Sequence, residues 1–263
     1  MATIGTRMNL WVAGLAAGLG IAAGPLLRVQ AFRYSVASGP AREIECPSCN
    51  GRIAGVGVSW RTLAGLWSGR CRWCKLVAGP PRASVEVAAA LSLGIIATVV
   101  DEALPLLAYC WVALVGLILA IVDLAVHRLP DRLTALLAAG VLAALGAQCL
   151  STGEAHRLLE ALAACAGAAM FYFLMSALTG GGIGLGDAKL AFGLGITVGW
   201  AGWPAVAVAT FLGLVLTGLG ALVLLLLRRA GRKDAIPHGP FMVLAALATI
   251  VVAALTGVPS GGG

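Results

Sequence analysis

Residues 104–123 read LPLLAYCWVALVGLILAIVD, and no charged residue occurs before the last one. About 20 apolar residues in helical conformation match the ~30 Å hydrocarbon core of a bilayer. The run therefore reads as a membrane span that ends on a carboxylate, Asp123. A second stretch, TGGGIGLGD at 179–187, ends on another, Asp187, just before the apolar run 188–203. Only 11 of the 263 residues are acidic, so these two positions demand a reason. A carboxylate at the edge of hydrocarbon is costly unless paired, protonated or facing a polar cavity, which makes each a candidate functional group. Two on one side of a bilayer would form an aspartyl dyad, a device that splits an amide without a metal.

Composition extends the membrane reading to the whole chain. Hydrophobic residues make up 60%, charged residues 11%, and the mean hydropathy is +0.97. Soluble domains carry about 25% charged residues. Eight apolar runs are long enough to be spans: 8–27, 84–100, 104–122, 132–150, 157–179, 188–203, 204–227 and 239–257. They define an all-α membrane protein of about eight transmembrane helices. Its expected organisation is a first helix (1–27), a loop domain (28–83) and a polytopic domain (84–263). No convincing cleavage site follows the first run, so that helix is expected to stay.

Eight spans place both termini on one side, and the basic residues sort accordingly. Sixteen of the 18 Lys and Arg fall on the face of the 28–83 loop; Arg7 and Arg157 fall on the other. The positive-inside rule makes the loop cytoplasmic and both termini external. Asp123 and Asp187 then lie at the same cytoplasmic depth. The net charge of +7 is accounted for by topology and by contact with anionic membrane lipids, with no need of nucleic acid.

Each carboxylate also has a structural reading. Asp187, between glycines and AKLAFGL, suits a helix N-cap. Gly180, Gly181, Gly182, Gly184 and Gly186 argue for more, because they permit close approach of another chain at the membrane edge. Asp123 sits at a helix C-terminus, where the macrodipole disfavours negative charge. That suits a dyad, which needs one carboxyl protonated and one ionised; an ion pair with Arg128 or His127 is the alternative. Asp131, after Leu129-Pro130, reads as the N-cap of the fourth span and as a supporting candidate. The three histidines form no His-Glu-x-x-His pair and Gly-x-Ser-x-Gly is absent, so metalloprotease and serine hydrolase sites lack their parts.

Four of the seven cysteines form two pairs, Cys46-Pro-Ser-Cys49 and Cys71-Arg-Trp-Cys74, separated by 21 residues. Two Cys-x-x-Cys turns close a tetrahedral zinc site, and four thiolates leave no open position for chemistry. The expectation is a structural zinc that folds the loop.

Four elements in this order resemble the type IV prepilin peptidase family. They are Ser68-Gly69-Arg70-Cys71-Arg72-Trp73-Cys74, then Val122-Asp123-Leu124 continuing to Leu129-Pro130-Asp131-x-Leu133-Thr134, then Gly184-x-Gly186-Asp187, then Ile236-Pro237-x-Gly239-Pro240-Phe241. The resemblance implies an enzyme of the bacterial inner membrane that cuts a short basic leader from prepilins or pseudopilins on the cytoplasmic side, its expected partner being an amphipathic or apolar helix of the substrate that enters laterally. It implies Asp123 and Asp187 as catalytic residues, and N-methylation of the new terminus with S-adenosylmethionine. The stretches 24–33 and 80–86 depart from the family pattern, which predicts methyl transfer that is weak, absent or slower than cleavage. Glu86 is the candidate residue for that transfer, and equally a carboxylate favoured by the N-terminus of the second span. Two other classes of protein could use these carboxylates. A presenilin-like protease shares Gly-x-Gly-Asp, but its Pro-Ala-Leu element is missing here. A non-enzymatic assembly factor or transporter would use the carboxylates to bind ions or bridge helices.

Overall fold

The computed structural model describes residues 2–35, 44–45, 49, 51–54, 71, 73–75, 80–81, 83–178, 184–229 and 236–256. Cys46 and Gly180–Gly182 lie outside the described residues. Packing density divides the chain into two compact units, Met1–Thr98 and Val99–Gly263.

The first unit contains helix α1 (Ala2–Tyr34), strands β1 (Ile44–Glu45) and β2 (Arg52–Ala54), and most of helix α2 (Ser84–Val99). The strands pair antiparallel, with Ile44 opposite Ala54. The first helix does not stop at Leu27 as expected, but runs on to Tyr34. The expected boundary rested on the first charge after the apolar run, Arg28. That charge is instead fully buried. Its guanidinium forks onto Glu86, with Nε donating to Oε1 and Nη2 to Oε2, both at 2.8 Å. Nη1 donates to the carbonyl of Pro80 at 2.9 Å and Nη2 to that of Pro81 at 2.8 Å. Paired on every side, the charge gives the helix no cause to end there. Pro25 is also carried inside this helix.

The second unit is a bundle of six helices: α3 (Ala103–Val126), α4 (Asp131–Thr152), α5 (Ala155–Leu178), α6 (Leu185–Gly199), α7 (Trp203–Leu226) and α8 (Gly239–Thr256). Tight reversals join the first three. His127 closes α3 in the left-handed region at φ 51°, and Gly153 closes α4 at φ 76°. The centre of the bundle is α6, packed against α5, α4 and α8. Every residue from Gly193 to Gly199 is buried. This depends on small residues: a Cβ on Gly195 would lie 2.7 Å from Cα of Cys165 on α5. Between membrane helices, close backbone approach of this kind replaces the hydrophobic drive that lipid does not supply.

The described helices coincide one to one with the eight apolar runs. Six are long and apolar enough to cross a membrane, among them α1 from Leu10 onward; α2, with 16 residues, and α6, with 15, fall short of that length. The outward surface is what a bilayer requires. On α7, Val208, Phe211, Leu219, Leu222 and Val223 all stand exposed. Such a surface is covered in lipid and would be an aggregation site in water.

The Arg28–Glu86 pair should govern the stability of the first unit. Removing one partner of a buried ion pair strands the other charge, at a cost of about 3–5 kcal/mol. Arg28→Ala and Glu86→Ala are each expected to lose that much in denaturant unfolding in micelles, and the double variant Arg28→Met/Glu86→Leu to lose less. An Arg28→Ala protein as stable as wild type would refute the role given to the pair.

Candidate active site

Asp123 lies in the last turn of α3, three residues before its end, and is buried. Its backbone carbonyl accepts the His127 N–H at 2.8 Å, the bond that closes the helix. Its carboxylate turns elsewhere. Oδ2 accepts the backbone N–H of Gly239, 116 residues further on, at 3.0 Å. Gly239 is the first residue of α8, so the carboxylate of Asp123 is met by the N-terminus of another helix. The unfavourable dipole at the end of α3 is offset by a favourable one. Only glycine allows it: a Cβ at 239 would stand 2.9 Å from Oδ2 of Asp123 and 3.3 Å from Cδ2 of Leu129.

Asp187 occupies the first turn of α6 and is also buried. It is not the N-cap expected of it. That position belongs to Gly184, and Asp187 stands three residues inside. Its Oδ2 accepts the Gly184 N–H at 3.1 Å, while its own N–H donates to the Gly184 carbonyl at 3.0 Å. The exchange is the reciprocal half of a capping box. Both aspartates therefore have one carboxylate oxygen held by a backbone N–H at a helix start.

The two side chains line one cleft of about 290 Å³. Gly184 and Gly186 form part of its wall, as do Leu129, Pro237 and His238. Its rim is charged, with Arg128, Asp131 and Lys189. Asp131 is likewise not the cap of its helix: Pro130 holds that place, and the Asp131 carboxylate accepts from Nζ of Lys189 at 2.6 Å instead. Both partners are more than half exposed, so the pair contributes little to stability.

His238 fills the open position of Ile236-Pro237-x-Gly239-Pro240-Phe241, and nothing in the sequence marks it out. It is buried, with Nδ1 2.6 Å from Oγ1 of Thr217 and Nε2 3.3 Å from the hydroxyl of Tyr172. Thr217 Oγ1 donates to the Gly213 carbonyl at 2.8 Å, so its oxygen is left to accept from Nδ1–H. Burial pushes the imidazole down to about 4 from its ordinary 6.5. The ring is neutral, and it anchors the residue immediately before Gly239. An unpartnered histidine looks bland in sequence; its place became visible only through Thr217 and Tyr172.

In the first unit, Sγ atoms of Cys49, Cys71 and Cys74 lie within 4.8 Å of one another, with Cys49 and Cys71 3.7 Å apart. Two thiolates on a tetrahedral zinc, each at about 2.3 Å, stand roughly 3.8 Å apart. The donor set and its spacing fit the ion. Cys49 lies in the connection from β1 to β2, and Cys46, the expected fourth ligand, is outside the described residues. Within the first unit, the carboxylate of Glu86 is engaged by Arg28.

A helical membrane bundle with two buried carboxylates on one cleft can be set beside known proteins. The model of the type IV leader peptidase family matches residues 107–258, a stretch that includes both aspartates. A prepilin leader peptidase/N-methyltransferase of Aeromonas salmonicida is 32% identical over 203 residues, covering 76% of this chain and 68% of that protein. Its counterpart from Aeromonas hydrophila is 33% identical over the same shares. No solved structure matches. The chain belongs to the type IV leader peptidase family. It is a membrane peptidase, as the sequence resemblance implied, and the non-enzymatic and presenilin-like alternatives fall away.

Neutral burial of His238 makes a pH dependence. Its folded-state value lies below its unfolded one, so the unfolded chain binds more protons and stability rises with pH between about 4 and 6.5. The stabilisation is complete above 6.5 and lost as pH falls toward 4. Unfolding midpoints measured from pH 4.5 to 7.5 should therefore climb more steeply for wild type than for His238→Gln. Parallel curves would contradict the assignment.

Proposed function

We propose that this protein removes the leader peptide from type IV prepilins or pseudopilins, with Asp123 and Asp187 as the catalytic pair. The observation that carries the reading is the shared cleft, in which each carboxylate has one oxygen fixed by a helix N-terminal N–H. The remaining oxygen of each serves the chemistry. One carboxylate, ionised, takes a proton from water as the water attacks the scissile carbonyl. The other, protonated, donates to the carbonyl oxygen. Collapse of the tetrahedral intermediate returns a proton to the leaving amine, and the two residues exchange roles. Gly184 leaves room for the substrate backbone beside Asp187, while the missing side chain of Gly186 makes way for Leu129.

The distribution of Lys and Arg supports a cytoplasmic cleft in the bacterial inner membrane, with both termini outside. The zinc reading extends to Cys46 as fourth ligand, and four thiolates would supply the loop with folding energy and leave peptide cleavage to the carboxylates. The names of the Aeromonas relatives support N-methylation of the cut substrate, and the motif resemblance implies S-adenosylmethionine as the methyl donor. For Glu86, its engagement by Arg28 favours a role in holding α1 to α2 over one in methyl transfer.

Asp123→Asn and Asp187→Asn are each expected to lower cleavage of a cognate prepilin at least 10³-fold while inserting normally, and Asp131→Asn to lower it less than tenfold. Mass spectrometry of the product reads both activities, because cleavage removes the leader and methylation adds one methyl group at the new terminus. Near-normal processing by either Asp variant would refute the dyad.

Elemental analysis of reduced, purified protein should find one zinc per chain, lost in Cys71→Ser. Chelators applied to folded protein should leave the cleavage rate unchanged. Cleavage that stops on chelation, with the fold intact, would place the metal in the chemistry and overturn its structural role.

A further inference from the structure

Asp131 and Lys189 line the cleft of the two aspartates and also a second space, a groove of about 1010 Å³. Three helices build it. Each contributes one face at helical spacing: α4 from Asp131 to Leu142, α5 from Ala166 to Phe173, and α6 from Leu185 to Phe192. It exists because α4 and α5, although consecutive, both pack on α6 and touch each other little. Their diverging sides become walls and α6 the floor.

The lining is graded. Its polar groups are Asp131, Thr134 and Lys189, at the end shared with the cleft. Beyond them it is apolar and mostly small, with Ala135, Ala138 and Ala139 on α4 and Ala166 and Ala169 on α5. Phe173 and Phe192 stand exposed beside these alanines. Small residues facing one space from neighbouring helices let another backbone approach closely, which is how helices associate in lipid. The face of α4 from Asp131 to Leu142 runs about 16 Å at 1.5 Å per residue, or three helical turns.

We infer that this groove is the docking site for the apolar helix of the substrate, an inference that rests on the peptidase reading above. A helix lying in the groove with its N-terminal end toward Lys189 and Asp131 would hand the peptide bond preceding that helix to Asp123 and Asp187. The continuity of groove and cleft through two shared residues selects a peptide substrate over an acyl chain as occupant. Charge agrees: a basic leader leaving the groove meets the exposed carboxylate of Asp131 at the junction, and displaces Lys189 from it.

The test is photocrosslinking in membranes, with a cognate prepilin that retains its leader and complete apolar helix. Benzoylphenylalanine at Ala139 or Ala166, in the Asp187→Asn background that keeps substrate uncut, should capture the prepilin. The same group at Leu222 of α7 or Leu244 of α8, both exposed apolar positions, should not. With both aspartates present, Ala139→Trp should slow cleavage at least tenfold, whereas Leu244→Trp should cut at the wild-type rate. Wild-type enzyme that cuts while Ala139 and Ala166 capture only lipid, or Ala139→Trp cutting at the wild-type rate, overturns the groove and leaves the peptidase reading standing. Wild-type enzyme that does not cut the prepilin strikes the peptidase reading, and this inference with it.

Discussion

Two carboxylates held inside an apolar bundle set the terms for the second unit of this protein. An isolated ionised carboxylate in such surroundings costs several kcal/mol even after relaxation. The fold answers with backbone N–H groups that have no other partner, those at helix starts. Asp123 is answered by Gly239 and Asp187 by Gly184. Much of the surrounding sequence follows from that arrangement. Position 239 must lack a side chain, because a Cβ there would crowd Oδ2 of Asp123. Leu129 closes against both glycine sites, since a Cβ on Gly186 would lie 3.1 Å from its own Cβ. His238, locked to Thr217 and Tyr172, holds the start of α8 where its N–H can reach.

The first unit meets the same difficulty with a different device. Glu86 is as buried as the two aspartates, yet its partner is a guanidinium and not a backbone group. The four hydrogen bonds of Arg28 satisfy both oxygens of Glu86 and two carbonyls of the segment before α2. A planar fork matched to a carboxylate in this way is rigid and fully occupied. Among the described residues, Asp123 and Asp187 are each held by one N–H donor, which leaves them oxygens to offer a water. The contrast supports the proposal that Glu86 serves structure and the two aspartates serve chemistry.

Packing of small residues then decides where space is left. Because α6 is flanked so closely by α5, it can serve as a floor on which α4 also rests, and the gap between α4 and α5 stays open to lipid. A bundle with larger residues at 193, 195 and 199 would hold these helices apart and lose both the tight centre and the defined groove. The exposed apolar side of α7 has the opposite character, large side chains facing outward with little buried.

How much of this was legible beforehand follows from the range of the forces. Transfer of apolar side chains to lipid is a local property of about 20 residues. The sequence by itself therefore determined the eight helices, the all-α membrane class and the placing of Asp123 and Asp187 at helix ends. The motif order pointed to the family, which the comparisons bear out. The tertiary structure alone decided the partners. Asp123 turned from its neighbours His127 and Arg128 to a glycine 116 residues away; Glu86 turned to an arginine 58 residues back; Asp131 gave up a capping role for Lys189, also 58 residues distant. The first helix ran past Leu27 for the same reason, since a charge ends an apolar span only when nothing across the fold neutralises it. Periodicity and hydropathy report what one segment prefers in lipid. Which buried donor meets which buried acceptor depends on how the helices pack, and that is settled by contacts between residues far apart in the chain.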